Sequence, residues 1–346
     1  MSGTNTPFQQ PKRKVRSEGI PHYLTRIVSS PLEWIDDDEE KERIWDAASI
    51  RLSERSGRTG MGAISRSFRI PTRVEPLQEN NTTRTDQSPS DTRDDAVEIE
   101  LHEPALTEDN LGLKTWASSY VLAKKWHQMR TELSQAVTSV SDSHAAPFAI
   151  LELGAGTGLV GLSAAAVLGV NVLLTDLPEI VPNLARNADD NEELLSSRGG
   201  SAAAAVIDWT KPQEVRFHQV PNDGRESEEI CGGSVVAQTQ LPGTRGLSVP
   251  IIVAADPIYS TDHPKLLAQA VECHMKRSPE ARLIVEMPIR ETYAAERADF
   301  VSCMQGLGLS LIREETDIGY DDWSEGRGED LTEVECWMTM WAWKTT

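Results

Sequence analysis

From Val97 onward, apolar runs of strand length alternate with segments of helical period, a pattern that calls for a parallel sheet covered by helices on both faces. Strands are expected at residues 149–153, 171–175, 202–207, 251–255, 282–286, 308–313 and 333–343, and helices at 116–130, 159–168, 179–190, 262–276 and 290–305. The last two strands, LGLSLIREE and EVECWMTMWAW, have only an acidic segment without helical pattern between them, so they are expected to pair antiparallel. Trp337, Trp341 and Trp343 share one face of the final strand, where packing between sheet and helix explains them better than a ligand does.

The fold class expected is therefore α/β: a seven-strand, Rossmann-like sheet ending in an antiparallel C-terminal hairpin, preceded by a short helical N-terminal extension. That architecture resembles the seven-strand methyltransferases. Residues 1–19 read as a disordered tail, 20–75 as the helical extension, 76–96 as a linker and 97–346 as the main domain. In the extension Trp34, Ile44, Trp45, Ala48 and Leu52 recur near helical spacing. Residues 212–249 have no clear periodicity and are too long for an ordinary strand connection, so a flexible insertion is expected there.

Composition narrows the partners. The chain of 346 residues has a formal net charge of −20, which opposes binding along a nucleic-acid backbone and suits a basic protein. Glu314 to Glu335 alone holds ten acids against one arginine, and reads as a solvated loop or, more sharply, as a rim for a lysine-bearing partner. The four cysteines, Cys231, Cys273, Cys303 and Cys336, form no CxxC pair, so no metal site is suggested and reduced thiols are expected. The longest apolar stretch is interrupted by Gly161, Gly169 and Asn171, so no membrane span is implied. A cytoplasmic protein with a possible nuclear fraction, acting as a monomer, is the expectation.

AILELGAGTGLVGLSAA reads as strand, glycine-rich turn and helix, in which Gly154, Gly156 and Gly158 let the backbone turn against a ligand beside free helix N–H groups. Gly156, Gly158 and Gly161 satisfy GxGxxG, and Asp176 lies twenty residues beyond Gly156, as a dinucleotide site also requires. Two details favour S-adenosyl-L-methionine over NAD. Glu152 precedes the first glycine inside the strand, where S-adenosylmethionine enzymes place an acid serving the cofactor's ammonium end, and Asp176 offers two acceptor oxygens to a vicinal diol. The bland readings are a buried ion pair for Glu152 and a helix cap for Asp176. Asp208 and Trp209 in VIDWT suit an adenine amino group and ring. Trp116 in TWASSY opens a helix, where tryptophan is usually core; the methyltransferase likeness puts it near the cofactor.

AADPIYS follows the fourth strand of the main domain. A carboxylate at Asp256, a proline at 257 and an aromatic at Tyr259 do not suit a strand interior, but they suit a strand end facing a site. The group resembles the acid-Pro-x-aromatic signature of nitrogen methyltransferases, which implies that Asp256 orients an amine and Tyr259 contacts it through its ring. The bland reading is a capped turn before the next helix.

LHEPALTEDNLGLKTWASSY, LELGAGTGLVGL, TDLPEIVPNL, IDWTKP, ADPIYSTDHP, EMPIRETYAAER and GYDDW, in this order, together with SERSGRTG, resemble the fungal protein-lysine methyltransferases of eukaryotic elongation factor 2, within the DxxY class. The resemblance spans most of residues 50–343. It implies a cofactor held by Trp116, Gly154, Ala155, Gly156, Asp176, Trp209 and Ala255, with Asp256 and Tyr259 at the target lysine. The insertion between the third and fourth strands is longer than the family's, and the N-terminal part is shorter than in some members. An N6-adenine methyltransferase shares the acid-Pro-x-aromatic group but conflicts with the acidic charge and the lack of a basic, aromatic-rich reading surface. A non-catalytic, chaperone-like module that binds the cofactor only as a ligand is a further alternative, opposed by the intact Asp256 and Tyr259.

Overall fold

In the structure, a computed structural model, the described residues are 20–32, 34, 35, 37, 40–45, 48, 63–73, 95–104, 111–141, 148–218, 247–321 and 332–344. The chain divides into two units, one of Met1–Met61 with Asp322–Asp330, the other of Gly62–Asp321 with Leu331–Thr346.

In the smaller unit, α1 (Ile20–Val28) and residues 40–45 are helical. Leu24, Leu32 and Ala48 are buried, and the Trp45 indole N–H donates to the Ser30 carbonyl at 3.0 Å. The helix expected to include Trp34 starts later, since Trp34 sits in a turn and is 74% exposed, while Leu52 and the expected helix end lie outside the described residues. Acids favour a helix's positive N-terminal end, and the run Asp36, Asp37, Asp38 lies just ahead of the helical residues.

The larger unit opens with a strand pair that the sequence reading missed. β1 (Ile64–Pro71) and β2 (Ala96–Glu103) pair antiparallel, with Arg69 opposite Glu98 and Ile70 opposite Val97. β1 lies where a helical extension was expected, and β2 opens the main domain at the end of the expected linker. Their period-two pattern was present, with Val97, Ile99 and Leu101 buried and Glu98 and Glu100 exposed.

The main sheet contains β3 (Ile150–Leu153), β4 (Asn171–Asp176), β5 (Ser201–Val206), β6 (Arg216–Phe217), β7 (Ile251–Ala255), β8 (Arg282–Pro288), β9 (Leu309–Asp321) and β10 (Thr332–Trp343). Their order is β6-β5-β4-β3-β7-β8-β10-β9. β5, β4, β3, β7 and β8 run parallel, while β10 is antiparallel to both β8 and β9. The seven expected strands are thus present, and the two-residue β6 adds an antiparallel eighth at the edge. The chain leaves β3 on one side toward β4 and later returns on its other side as β7, so the carboxyl ends of β3 and β7 flank the crevice that such sheets offer to ligands.

Covering helices are α2 (Ala117–Ala123), α3 (Trp126–Ser141), α4 (Leu159–Leu168), α5 (Val181–Asp190), α6 (Glu192–Ser197), α7 (His263–His274) and α8 (Ala294–Gly306). One core cluster joins Trp126, Leu162, Val172 and Met338; the other joins Leu173, Leu267, Phe300 and Trp341. Trp337 and Trp343 pack on the second cluster and Trp341 meets Phe300 edge to face, so the shared tryptophan face is core, as expected.

Three local expectations are corrected. The helix expected at 116–130 breaks at Lys124 and Lys125, because the Lys125 ammonium is drawn inward to acids of β8 and β9. The acidic segment read as a loop is strand from Glu314 to Asp321 and again from Thr332, with acids such as Glu314 and Glu333 placed on exposed strand positions. The insertion begins with β6, and its residues 219–246, including Cys231, lie outside the described residues.

Candidate functional site

The turn after β3 puts Gly154, Gly156 and Gly158 at φ of 69°, 58° and 91°, a region that strains residues with side chains. Space is also short. A Cβ on Gly156 would lie 2.9 Å from the Gly112 carbonyl oxygen, and one on Gly154 would lie 3.2 Å from the Trp209 ring. Ala155 is anchored by its N–H to the Thr175 carbonyl at 2.9 Å.

Asp176, at the end of β4, is braced by two backbone donors: the Gly156 N–H reaches one oxygen at 2.7 Å and the Leu177 N–H the other at 2.7 Å. Burial nevertheless raises its pKa to about 6. A carboxylate has roughly four acceptor positions, so acceptor capacity remains on both oxygens. Instead of capping a helix through its side chain, Asp176 ties β4 to the glycine turn.

Glu152 is buried, and its Oε2 accepts the Gly161 N–H at 2.8 Å in the first turn of α4. It satisfies an orphan donor at the positive end of that helix. A Cβ on Gly161 would lie 2.6 Å from the same oxygen, which explains the third glycine of GxGxxG here. Burial pushes Glu152 to about 8.

Asp208 uses one oxygen within its own turn, accepting the Thr210 N–H at 2.9 Å and hydroxyl at 2.7 Å, which holds its carboxyl below the usual range. Trp209 lies against Gly154 on one side and meets His263 at 6.0 Å between ring centroids. His263, which the sequence reading passed over, also stands edge-on to Tyr259 at 4.1 Å and accepts the Tyr259 N–H at Nδ1, 3.3 Å away. Burial lowers the His263 pKa, and the ring packs against both Trp209 and Tyr259.

Asp256 follows Ala255, the half-buried last residue of β7, and adopts φ of 50°. A non-glycine residue held there, its N–H fixed to the Glu286 carbonyl at 2.8 Å, is the kind of backbone strain found at functional sites. Its Oδ2 is 3.7 Å from the Arg290 guanidinium, which lies 3.7 Å from Asp321 Oδ2 as well. Burial raises Asp256 to about 6 against the pull of Arg290, with Asp321 adding to the rise. Tyr259 is 56% exposed; desolvation of its partly covered hydroxyl and the charges of Asp176, Asp256 and Glu179 raise its pKa.

Trp116 sits at the N-terminus of α2, with the Lys114 ammonium 4.5 Å and the Arg290 guanidinium 5.6 Å from its ring centre. Lys114 is buried and 3.9 Å from Asp321 Oδ1, which also accepts the Ala117 N–H at 2.9 Å. Trp116 is therefore a platform for cations, not core. Lys114, Arg290, Asp321 and His263 carried no individual signal in the sequence, because nothing local says which distant charge each will meet.

A second framework went unread although its period was visible. NLARNADDN places Asn183, Asn187 and Asn191 four residues apart, on one face of α5 and just beyond. Asn191 exchanges both backbone bonds with Glu100, at 3.1 and 2.7 Å, and Asn187 does so with His102, at 2.8 and 3.2 Å. The amides act as a strand edge for β2. Asn187 also donates to the Thr157 carbonyl at 2.9 Å, and the Thr157 and Thr115 hydroxyls are 2.7 Å apart, so β2 and α5 hold the glycine turn in place.

Residues 94–223 match a family described as lysine methyltransferase. Over 331 residues the chain is 30% identical to the protein-lysine N-methyltransferase rrg1 of Schizosaccharomyces pombe, covering 95% of this chain and 86% of that one. The chain belongs to the lysine methyltransferases. It is also 31% identical over 283 residues to the protein-lysine N-methyltransferase EFM2 of Saccharomyces cerevisiae, spanning 80% of this chain and 55% of that longer protein. Among solved structures, magnesium protoporphyrin IX methyltransferase of Synechocystis aligns with a TM-score of 0.34 at 13% identity, over 67% of this chain and 90% of that one. The sheet order above, read from this chain itself, is what defines the fold of this lysine methyltransferase.

Glu152 and Glu286 in this lysine methyltransferase both have pKa values raised from 4.5 to about 8, each mainly by burial. The folded state therefore holds protons that the unfolded chain releases above 4.5, and stability falls as pH rises from about 4.5 to about 8. Thermal melting from pH 5 to pH 8.5 is expected to show a declining Tm, and Glu286→Gln to flatten the decline. A Tm that climbs through this range contradicts the assignment.

Proposed function

We propose that this protein-lysine N-methyltransferase modifies a lysine of translation elongation factor 2, with S-adenosyl-L-methionine as cofactor. The observation that carries the reading is the run of rings from Trp209, beside Gly154, through His263 to Tyr259, which joins the glycine turn to the acid-Pro-x-aromatic group. The elongation-factor substrate is supported by the ordered sequence blocks, from LHEPALTEDNLGLKTWASSY to GYDDW.

The residues present suit the cofactor. The glycine turn packs closely against Gly112 and Trp209 at positive φ, and Asp176 keeps acceptor capacity for a ribose diol. Trp209 offers a ring, Asp208 an acceptor, and Trp116 and Ala255 line the same end of the sheet. When bound, the sulfonium supplies an electrophilic methyl group. Asp256 and Tyr259 would then align the lysine ε-nitrogen, whose lone pair must be free of its proton before attack.

The test is labelled methyl transfer from S-adenosylmethionine into an extract of cells lacking the protein, with Asp256→Asn as control. One labelled band at the size of elongation factor 2, absent with the variant, supports the reading. Label in nucleic acid, or no label despite cofactor binding, rejects it. Asp176→Ala removes the acceptor for the ribose and the brace of the turn, and is expected to weaken cofactor binding by about 10 to 100-fold, the scale of one or two charge-assisted hydrogen bonds. Calorimetric binding checks this, and unchanged affinity overturns the role.

A further inference from the structure

We propose that Arg290 is a positioning residue of the lysine site: lying over Trp116, its guanidinium bridges Asp256 and Asp321 and keeps the site charge-balanced, so that the substrate lysine is accepted as the neutral amine that attacks. The inference deepens the proposed function and rests on the same Asp256.

The geometry is specific to one side chain. Arg290 follows β8 and reaches Asp256 beyond β7 and Asp321 at the end of β9, each at 3.7 Å, so it links three separate elements at the carboxyl end of the sheet. Its third partner is the Trp116 ring, 5.6 Å from the guanidinium carbon. With Lys114 at 3.9 Å from Asp321, two cations face two carboxylates. Among the described residues, further titratable neighbours are Cys336 of β10, whose thiol is raised to about 12 by burial and by Glu286, Asp256 and Asp321, and Glu286 of β8, raised to about 8. Tyr259, three residues beyond Asp256, also has its pKa raised. Among the described residues, the charges grouped around Arg290 are therefore chiefly those of Asp256, Asp321 and Lys114.

A balanced site gives an incoming ammonium no net attraction, while Asp256 can still accept a hydrogen bond from an amine N–H. Without Arg290 the site loses a positive charge beside the ε-nitrogen and becomes more negative above the raised midpoint of Asp256. A nearby opposite charge favours the protonated lysine by about 1 to 3 pH units. Protonated lysine has no lone pair. In the transfer the nitrogen lone pair forms the N–CH3 bond, the S–CH3 bond breaks with its electrons left on sulfur, and the ammonium proton has already gone to water.

Arg290→Gln and Arg290→Lys test this with elongation factor 2 as acceptor. For Arg290→Gln the acid limb of kcat against pH is expected to move up by about one unit, lowering kcat about tenfold at neutral pH, with KM unchanged or reduced and cofactor binding intact. Arg290→Lys keeps the charge and is expected to retain the wild-type profile. A loss of kcat that is flat across pH, or that lysine does not rescue, marks a merely structural role and overturns the proposal. Carboxyl-carbon NMR of Asp256, assigned with Asp256→Asn, reads the same contact without activity: its midpoint is expected to rise in Arg290→Gln and to stay in Arg290→Lys. An unmoved midpoint also overturns the proposal. If wild-type protein leaves elongation factor 2 unlabelled while the NMR midpoint shifts as expected, the substrate reading fails and Arg290 keeps its role.

Discussion

Asp256→Asn is expected to reduce methyl transfer by at least about 100-fold, the scale of losing alignment at a reacting centre, while cofactor affinity stays within about twofold. Asparagine is the informative replacement. It tolerates the positive φ that Asp256 adopts, and it keeps the N–H bonded to the Glu286 carbonyl, so the turn survives. What it removes is the charge shared with Arg290. Because the buried carboxyl is costly and Asp321 is close by, Tm is expected to hold or rise. Single-turnover transfer measured beside calorimetric cofactor binding separates the two functions. Wild-type turnover in the variant would move the chemistry elsewhere, and lost cofactor binding would make Asp256 part of the cofactor pocket.

Lys125→Met is expected to destabilise the protein by about 3 kcal/mol above about pH 8, where Glu286 is ionised, the lower end for breaking a buried ion pair. Lys125 is buried between α2 and α3, with its ammonium 2.5 Å from Asp317, 3.4 Å from Glu315 and 3.7 Å from Glu286. Those attractions raise its pKa in spite of burial. Asp317 and Glu315 are partly exposed, so solvent relieves part of the loss. Glu286 is buried, and its carbonyl holds the Asp256 N–H, so the damage also reaches the site. Chemical denaturation measures the effect, and Lys125→Met with Glu286→Gln is expected to recover part of it. A loss under about 1 kcal/mol would show that the pair is replaceable packing.

Sequence reading found the backbone of the site and missed its electrostatics. Gly154, Gly156, Gly158 and Asp176 were legible because a strand, a tight turn and a helix within one short segment impose their own geometry. Asp256 and Tyr259 were legible because an acid and a proline are out of place inside a strand. His263 was hidden because a histidine near a helix start has many uses. β1 and β2 were missed although they alternate, because a long polar stretch separates them and hairpin reasoning looks for short turns.

The sequence by itself determined the alternation of strands and helices, the glycine turn against the sheet and the antiparallel closing hairpin, since each follows from period or turn chemistry within a few residues. Only the tertiary structure decided which charges meet. Arg290, Asp256 and Asp321 come from three strand ends, and Lys125 meets Glu286, Glu315 and Asp317 across a helix break. The physical reason is that backbone propensity acts over a few residues of chain, whereas the worth of a charge depends on burial and on partners that the fold brings together from far apart.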